Sequence, residues 1–158
     1  MKVQDIMTRE VFSVGSTQTL RDAAQLMWKH DCGILPVVDE DRQIVGMITD
    51  RDIAMAAYLD GKSLEAIPVS AAHSKQIVCC KSGDGIDDVQ HMMQTYQVHR
   101  IPVVDDNGET VGIVSLNDIA RAYQAATGGL TAQDISNTLA AICGPIHKFS
   151  PPAKVVAS

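Results

Sequence analysis

The sequence predicts a mixed α/β (α+β) fold made by duplication: two units, each roughly β-α-β-β-α, packed on each other with pseudo-two-fold symmetry and followed by a C-terminal helix. Three observations lead there. First, Leu35-Pro36-Val37-Val38-Asp39 returns as Ile101-Pro102-Val103-Val104-Asp105. Second, the offset of 66 residues that carries Pro36 onto Pro102 also carries Val45-Gly46 onto Val111-Gly112 and Asp52-Ile53-Ala54 onto Asp118-Ile119-Ala120. It carries Asp22 onto Asp88 and Met27 onto Met93, with no gap from Val11/Ile77 to Ala56/Ala122. Self-similarity at a fixed period marks duplicated structural units. Third, one unit of this length buries its own sheet poorly, so the two sheets are expected to cover each other.

The elements follow in order. Residues 11–14 and 77–80 are short apolar strands. Residues 20–29 form an amphipathic helix with Leu20, Ala23, Ala24 and Met27 on one face; its partner spans 86–96, burying Ile86, Val89, Met93 and Tyr96. Strands at 35–38 and 101–104 each enter a hairpin, through Glu40-Asp41-Arg42 in one copy and Asp106-Asn107-Gly108 in the other. Asn-Gly is a strong hairpin signal. The return strands span 44–48 and 110–114, and helices at 50–59 and 116–126 close each unit, with Gly61 and Gly128-Gly129 as stops. Residues 1–61 make the first repeat, 62–75 the connector, 76–127 the second repeat and 128–158 the C-terminal part. In that last part 131–142 reads as a helix ended by Gly144-Pro145, and the tail from Ser150 onward reads as loose.

Composition narrows the function. A net charge of −6 and a pI near 5.2 argue against nucleic-acid and anionic-membrane partners, which need a basic surface. The start lacks a charged-then-apolar leader, and no apolar run reaches membrane-spanning length. The expectation is a cytoplasmic protein with reduced thiols. Cys32, Cys79, Cys80 and Cys143 have no zinc-ligand spacing, so no metal site is expected. Of the adjacent Cys79 and Cys80, one should be core and the other at a cleft or the surface, since strand neighbours point to opposite faces. His30 is expected at the surface or in a loop. No nucleophile–base pair, P-loop or GxGxxG appears, and no enzyme is expected.

One motif occurs twice: Gly46-Met47-Ile48-Thr49-Asp50-Arg51-Asp52 and Gly112-Ile113-Val114-Ser115-Leu116-Asn117-Asp118. Each runs off a strand into a helix start, where free N–H groups and the helix dipole attract anions. The Thr49 or Ser115 hydroxyl suits a phosphate, and the Asp52 or Asp118 carboxylate suits a pair of ribose hydroxyls. The glycine allows a close backbone approach. The same residues equally fit a helix-capping box.

The order DIMT, a helix, LPVVDEDRQIVGMITDRDIA, and then HRIPVVDDNGETVGIVSLNDIA resembles two copies of the CBS domain, together a CBS pair or Bateman module, over residues 3–123. The short length and the Ala-Ile-Cys-Gly-Pro end are similar to stand-alone bacterial CBS pairs. The resemblance implies a sensor of adenosine-type ligands (AMP, ADP, ATP, NAD or S-adenosylmethionine) in clefts between the repeats, needing no cofactor, dimerising, and acting on a regulated protein not named by the sequence. It implies a site A of Thr49 and Asp52 with Val78, His99 and Arg100 opposite, and a site B of Ser115 and Asp118 with Phe12, Gly33 and Ile34 opposite. His99-Arg100 resembles the phosphate-contacting pair of nucleotide-sensing kinase γ subunits, so site A should prefer phosphorylated ligands. Site B, with no charge opposite, should be weaker or lean to S-adenosylmethionine. The alternative is a ligand-independent dimerisation module, redox-responsive through Cys32, with the helix at 131–142 docking on a partner protomer.

Overall fold

The computed structural model of the chain describes residues 1–124, 131–145 and 154–156. In chain order the elements are α1 (Val3–Ile6), β1 (Val14–Gly15), α2 (Leu20–Lys29), β2 (Ile34–Val38), β3 (Ile44–Thr49), α3 (Asp50–Asp60), β4 (Ile77–Cys79), α4 (Ile86–Tyr96), β5 (Arg100–Val104), β6 (Thr110–Ser115), α5 (Leu116–Gln124), α6 (Ala132–Ile142) and β7 (Lys154–Val156). They fall into two compact units: a contiguous one, Phe12–Ile77, and a composite one, Met1–Val11 with Val78–Ser158.

In the contiguous unit β1 lies parallel to β2, and β2 pairs antiparallel with β3, Leu35 opposite Ile48. Thr19 caps α2 as Thr-x-x-Asp sequences do: its Oγ1 accepts from the Asp22 amide, and its own amide donates to the Asp22 carboxylate. The predicted face of α2 is the buried one. Leu20, Ala23 and Met27 pack with Leu35, Val37, Ile48 and Ile53 in one cluster, while Ala24 sits at its margin. Helix α3 stops at Gly61, whose φ of 61° only glycine adopts freely.

Residues 62–75, expected as a connector, contribute to that core. Ile67 and Val69 are buried, and each burial of this kind stabilises by roughly 1.5–3 kcal/mol. The Leu20 amide donates to the Ile67 carbonyl, and the Val69 amide to the Gln18 carbonyl. Met47 and Ser74 exchange backbone hydrogen bonds of 3.2 and 2.9 Å, so the segment pairs with the edge of β3.

The composite unit repeats this with the first residues of the chain. Lys2 bridges Gly85 as Pro68 bridges Thr19, and Thr8 bridges Ile113 as Ser74 bridges Met47. Val3 is buried like Val69. All these pairs obey the 66-residue offset, although Val3/Val69 is the one identity between residues 2–8 and 68–74. Each unit is thus completed by the stretch that precedes the other repeat.

Strands β5 and β6 pair antiparallel, and Cys80 bridges Val103 in parallel. The hairpin turns are organised by Asp39 and Asp105, each accepting two backbone amides on one carboxylate oxygen. The positive φ falls on Arg42 (63°) and Gly108 (81°). Cys79 and Cys80 are both buried, correcting the expectation that one would be exposed: both faces of β4 are covered. Burial pushes the Cys80 thiol up to about 12, helped by the nearby Asp84 and Cys79.

Helix α4 buries Ile86, Val89 and Met93 as predicted, and also Gln90 and Met92, because α6 packs on it. Tyr96 is half-buried. Thr138 of α6 accepts from Gln90 (3.2 Å) and Gln94 (2.9 Å) and donates to the Asp134 carbonyl. Gln97, at φ 51° past the end of α4, donates to the carbonyls of Ala141, Gly144 and Pro145. The helix expected at 131–142 therefore docks on its own unit. Of the tail expected to be loose, residues 154–156 form β7 beside β4. Its remainder, like Gly128-Gly129, lies outside the described residues. No helix among the described residues is long and apolar enough to cross a membrane.

Candidate functional site

In the contiguous unit β3 runs straight into α3, and Thr49 is the junction. Its Oγ1 accepts from the Asp52 amide (3.1 Å) and donates its proton to Asp52 Oδ2 (2.8 Å). The Thr49 amide donates to the same oxygen (2.9 Å). The hydroxyl proton expected to serve a phosphate is here held by the carboxylate. Asp52 Oδ1 carries no hydrogen bond among the described residues.

Gly33 and Ile34 meet the same junction from β2. The Asp50 amide donates to the Gly33 carbonyl (3.1 Å), and Ile34 lies in register with Thr49. Asp50 and Ile53, on either side of Asp52 in sequence, line a hollow of about 700 Å³ with Gly33, Cys32, Asp31 and Trp28. That volume suits a small molecule. Trp28 is 90% exposed. Phe12 is stacked on His30, ring centroids 3.4 Å apart and planes 14° from parallel. His30, expected at the surface or in a loop, is half-buried against the Phe12 ring.

The composite unit builds the same junction from Ser115. Its amide (2.8 Å) and hydroxyl (2.6 Å) both donate to Asp118 Oδ2, and the Asp118 amide returns to Ser115 Oγ (3.2 Å). The Leu116 amide donates to the His99 carbonyl (3.0 Å), and Arg100 lies in register with Ser115. His99 and Arg100 are exposed and border a hollow of about 100 Å³ with Ser115, Leu116 and Asn117. Val78 is half-buried in β4 against this unit's core.

The two carboxylates differ. Asp118 is only 5% exposed, and its Oδ1 is paired with the guanidinium of Arg121, one helical turn on. Met55 holds the place of Arg121 in the first repeat. The sequence expectation concerned only the charge opposite the Ser115–Asp118 motif; Arg121 lies on the motif's own helix. Two signals in the sequence point to Arg121, its i,i+3 spacing from Asp118 and the break in the repeat at Met55.

Phe12, Gly33, Ile34, Thr49 and Asp52 thus belong to one unit, and Val78, His99, Arg100, Ser115 and Asp118 to the other. Among the described residues no three His, Cys, Asp or Glu side chains converge on a metal position.

Comparison with known proteins adds to this geometry. The CBS domain family matches residues 3–58 and 69–125, starting each copy at the equivalent valines Val3 and Val69. The chain is 39% identical over 118 residues to the CBS domain-containing protein YhcV of Bacillus subtilis, covering 75% of this chain and 82% of that protein. It is 34% identical over 143 residues to Hypoxic response protein 1 of Mycobacterium tuberculosis, covering 90% and 94%. Among solved structures, the CBS domain pair of protein MJ0100 in complex with 5'-methylthioadenosine and S-adenosyl-L-methionine superposes with a TM-score of 0.71 at 30% identity, covering 80% of this chain and 98% of that one.

Proposed function

Because the chain belongs to the CBS domain family and carries two such domains, we propose that it is a regulatory module that binds adenosine-type ligands and relays their level to another protein. One observation carries the reading. The same junction is built twice, each time placing helix-start amides, a hydroxyl and a carboxylate beside the residue that precedes the proline strand. That set can hold a ribose and an anion together. A CBS pair with 30% identity is described with two adenosine compounds bound, which supports the class of ligand.

In this reading Thr49 and Asp52 take an adenosine-type ligand with Phe12, Gly33 and Ile34 of their own unit, and Ser115 and Asp118 do so with Val78, His99 and Arg100 of theirs. AMP, ADP and ATP are the first candidate ligands. NAD and S-adenosylmethionine are the other candidate ligands. The module works as a cytoplasmic homodimer without turnover; its effect lies in the ligand's differential affinity for two states of the module.

The Thr49–Asp52 and Ser115–Asp118 bonds also close complete helix caps without any ligand. That favours a second reading, a ligand-independent interaction module. A thermal-shift panel of AMP, ADP, ATP, NAD, NADH and S-adenosylmethionine on wild type, Asp52→Ala and Asp118→Ala separates the two. A ligand at 100 times its Kd adds about 2.7 kcal/mol, which raises the midpoint by roughly 5–10 °C. A shift with one compound, lost in one variant, supports sensing. No shift with any compound leaves the interaction module.

A further inference from the structure

We propose that Arg121 selects the ligand's charge at the Ser115–Asp118 site: it holds the carboxylate that a ribose would use, and yields it to a ligand bearing a phosphate. This rests on the reading of Ser115–Asp118 as a riboside site.

Asp118 Oδ2 already accepts two donors, from the Ser115 amide and hydroxyl. A carboxylate offers about four lone-pair positions, so the two hydroxyls of a ribose must both turn to Oδ1. Arg121 donates there. The pair is anchored at one end only: Asp118 is 5% exposed and the Arg121 side chain 69%. The guanidinium can therefore swing on its long stem without disturbing packing.

An uncharged riboside gains Asp118 only by breaking a charge-assisted bond and sending Arg121 back to water. A nucleotide offers the guanidinium a phosphate, which arginine grips with two N–H groups, so one charge-assisted bond replaces another. The first repeat has no such selector: Met55 stands at the equivalent position, and Asp52 Oδ1 is open among the described residues.

The test follows the Ser115 amide in ¹⁵N-correlated NMR spectra while adenosine or AMP is titrated into the whole chain, wild type and Arg121→Met. This amide donates to Asp118, so it reports this site by itself. In wild type AMP binds on the order of tenfold more tightly than adenosine, a difference of about 1.4 kcal/mol. In Arg121→Met adenosine binds more tightly than to wild type, and the preference falls to about twofold or less. An unchanged preference, or weaker adenosine binding in the variant, overturns the selection while leaving the site standing. A Ser115 signal that neither compound moves, in either folded protein, overturns the riboside reading and the selection with it. The spectrum reports whether Arg121→Met is folded; Arg121→Leu replaces it if not.

Discussion

Gly46 lies against His73 so closely that a β-carbon on the glycine would collide with the imidazole and with the Ser74 carbonyl. The motif glycine, expected to allow a close backbone approach, meets the chain's own Ser74. Gly112 does the same against Met7, whose sulfur lies 2.7 Å from where a β-carbon would sit. We expect Gly46→Ala to destabilise the protein by roughly 1–3 kcal/mol, since backbone stands in the way. Gly112→Ala should cost less, because the nearest obstacle is a methionine side chain and the closest backbone atom, the Thr8 carbonyl, stands at 3.2 Å rather than the 2.4 Å of Ser74 beside Gly46. Urea unfolding of the two variants side by side measures the difference.

Thr138 is the polar link between α6 and α4. Removing its hydroxyl leaves the Gln90 amide buried and unpaired. Thr138→Val should lose about 1–3 kcal/mol, and Thr138→Ser should restore most of it. If Val and Ser are equal in thermal denaturation, the hydrogen bond does not hold the helix.

The caps at Thr131 and Thr19 make stability fall in acid. Hydrogen bonds from the Thr131 hydroxyl and then its amide hold the Asp134 carboxyl below its ordinary value; at Asp22 the Thr19 amide leads and its hydroxyl follows. A carboxyl depressed in the folded state stabilises fully above its unfolded pKa, about 3.9, and that contribution is lost as pH falls through the lower folded value. Asp22→Asn should therefore be less stable than wild type at pH 7, with the gap closing below about pH 4. A gap that persists at pH 2 would contradict the assignment.

Cys80 works in the other direction. Its folded thiol is raised to about 12, whereas an unfolded cysteine ionises near 8.5. Between those values the unfolded chain binds fewer protons, so stability declines as pH rises. Cys80→Ala should flatten that alkaline slope. Alkylation followed by mass spectrometry should label the exposed Cys143 first and reach Cys79 and Cys80 only on unfolding.

Transplanting the ion pair tests the asymmetry of the repeats. Met55→Arg places a guanidinium one turn after Asp52, as Arg121 stands after Asp118. Adenosine binding read at the Thr49 amide should weaken several-fold, with AMP affected less. Equal loss for both would point to a steric effect.

The repeats, their helices and the hairpins were legible because each rests on a local signal: the face of α2, the Thr-x-x-Asp caps, the offset at Pro36/Pro102. The ends of the candidate site were legible for the same reason, since Thr49 and Ser115 mark strand-to-helix junctions. The segment from 62 to 75 was not, because its structural equivalence to the first residues resides in backbone pairing, with Val3 and Val69 as the sole shared identity. Nor was the Phe12–His30 stack, which joins residues that no periodicity links. The burial of both Cys79 and Cys80 escaped because strand alternation says nothing about how many faces are covered.

The exchange of leading segments has a consequence for the order of synthesis. Residues 1–11 leave the ribosome well ahead of their partner Ile113, which emerges about a hundred residues later; at 5–20 residues per second that delay is roughly 5–20 s. During that interval Phe12–Ile77 has everything it needs to fold, while Val3 and Met7 stay uncovered. Newborn chains therefore carry this segment uncovered for a defined time before the second repeat closes over it.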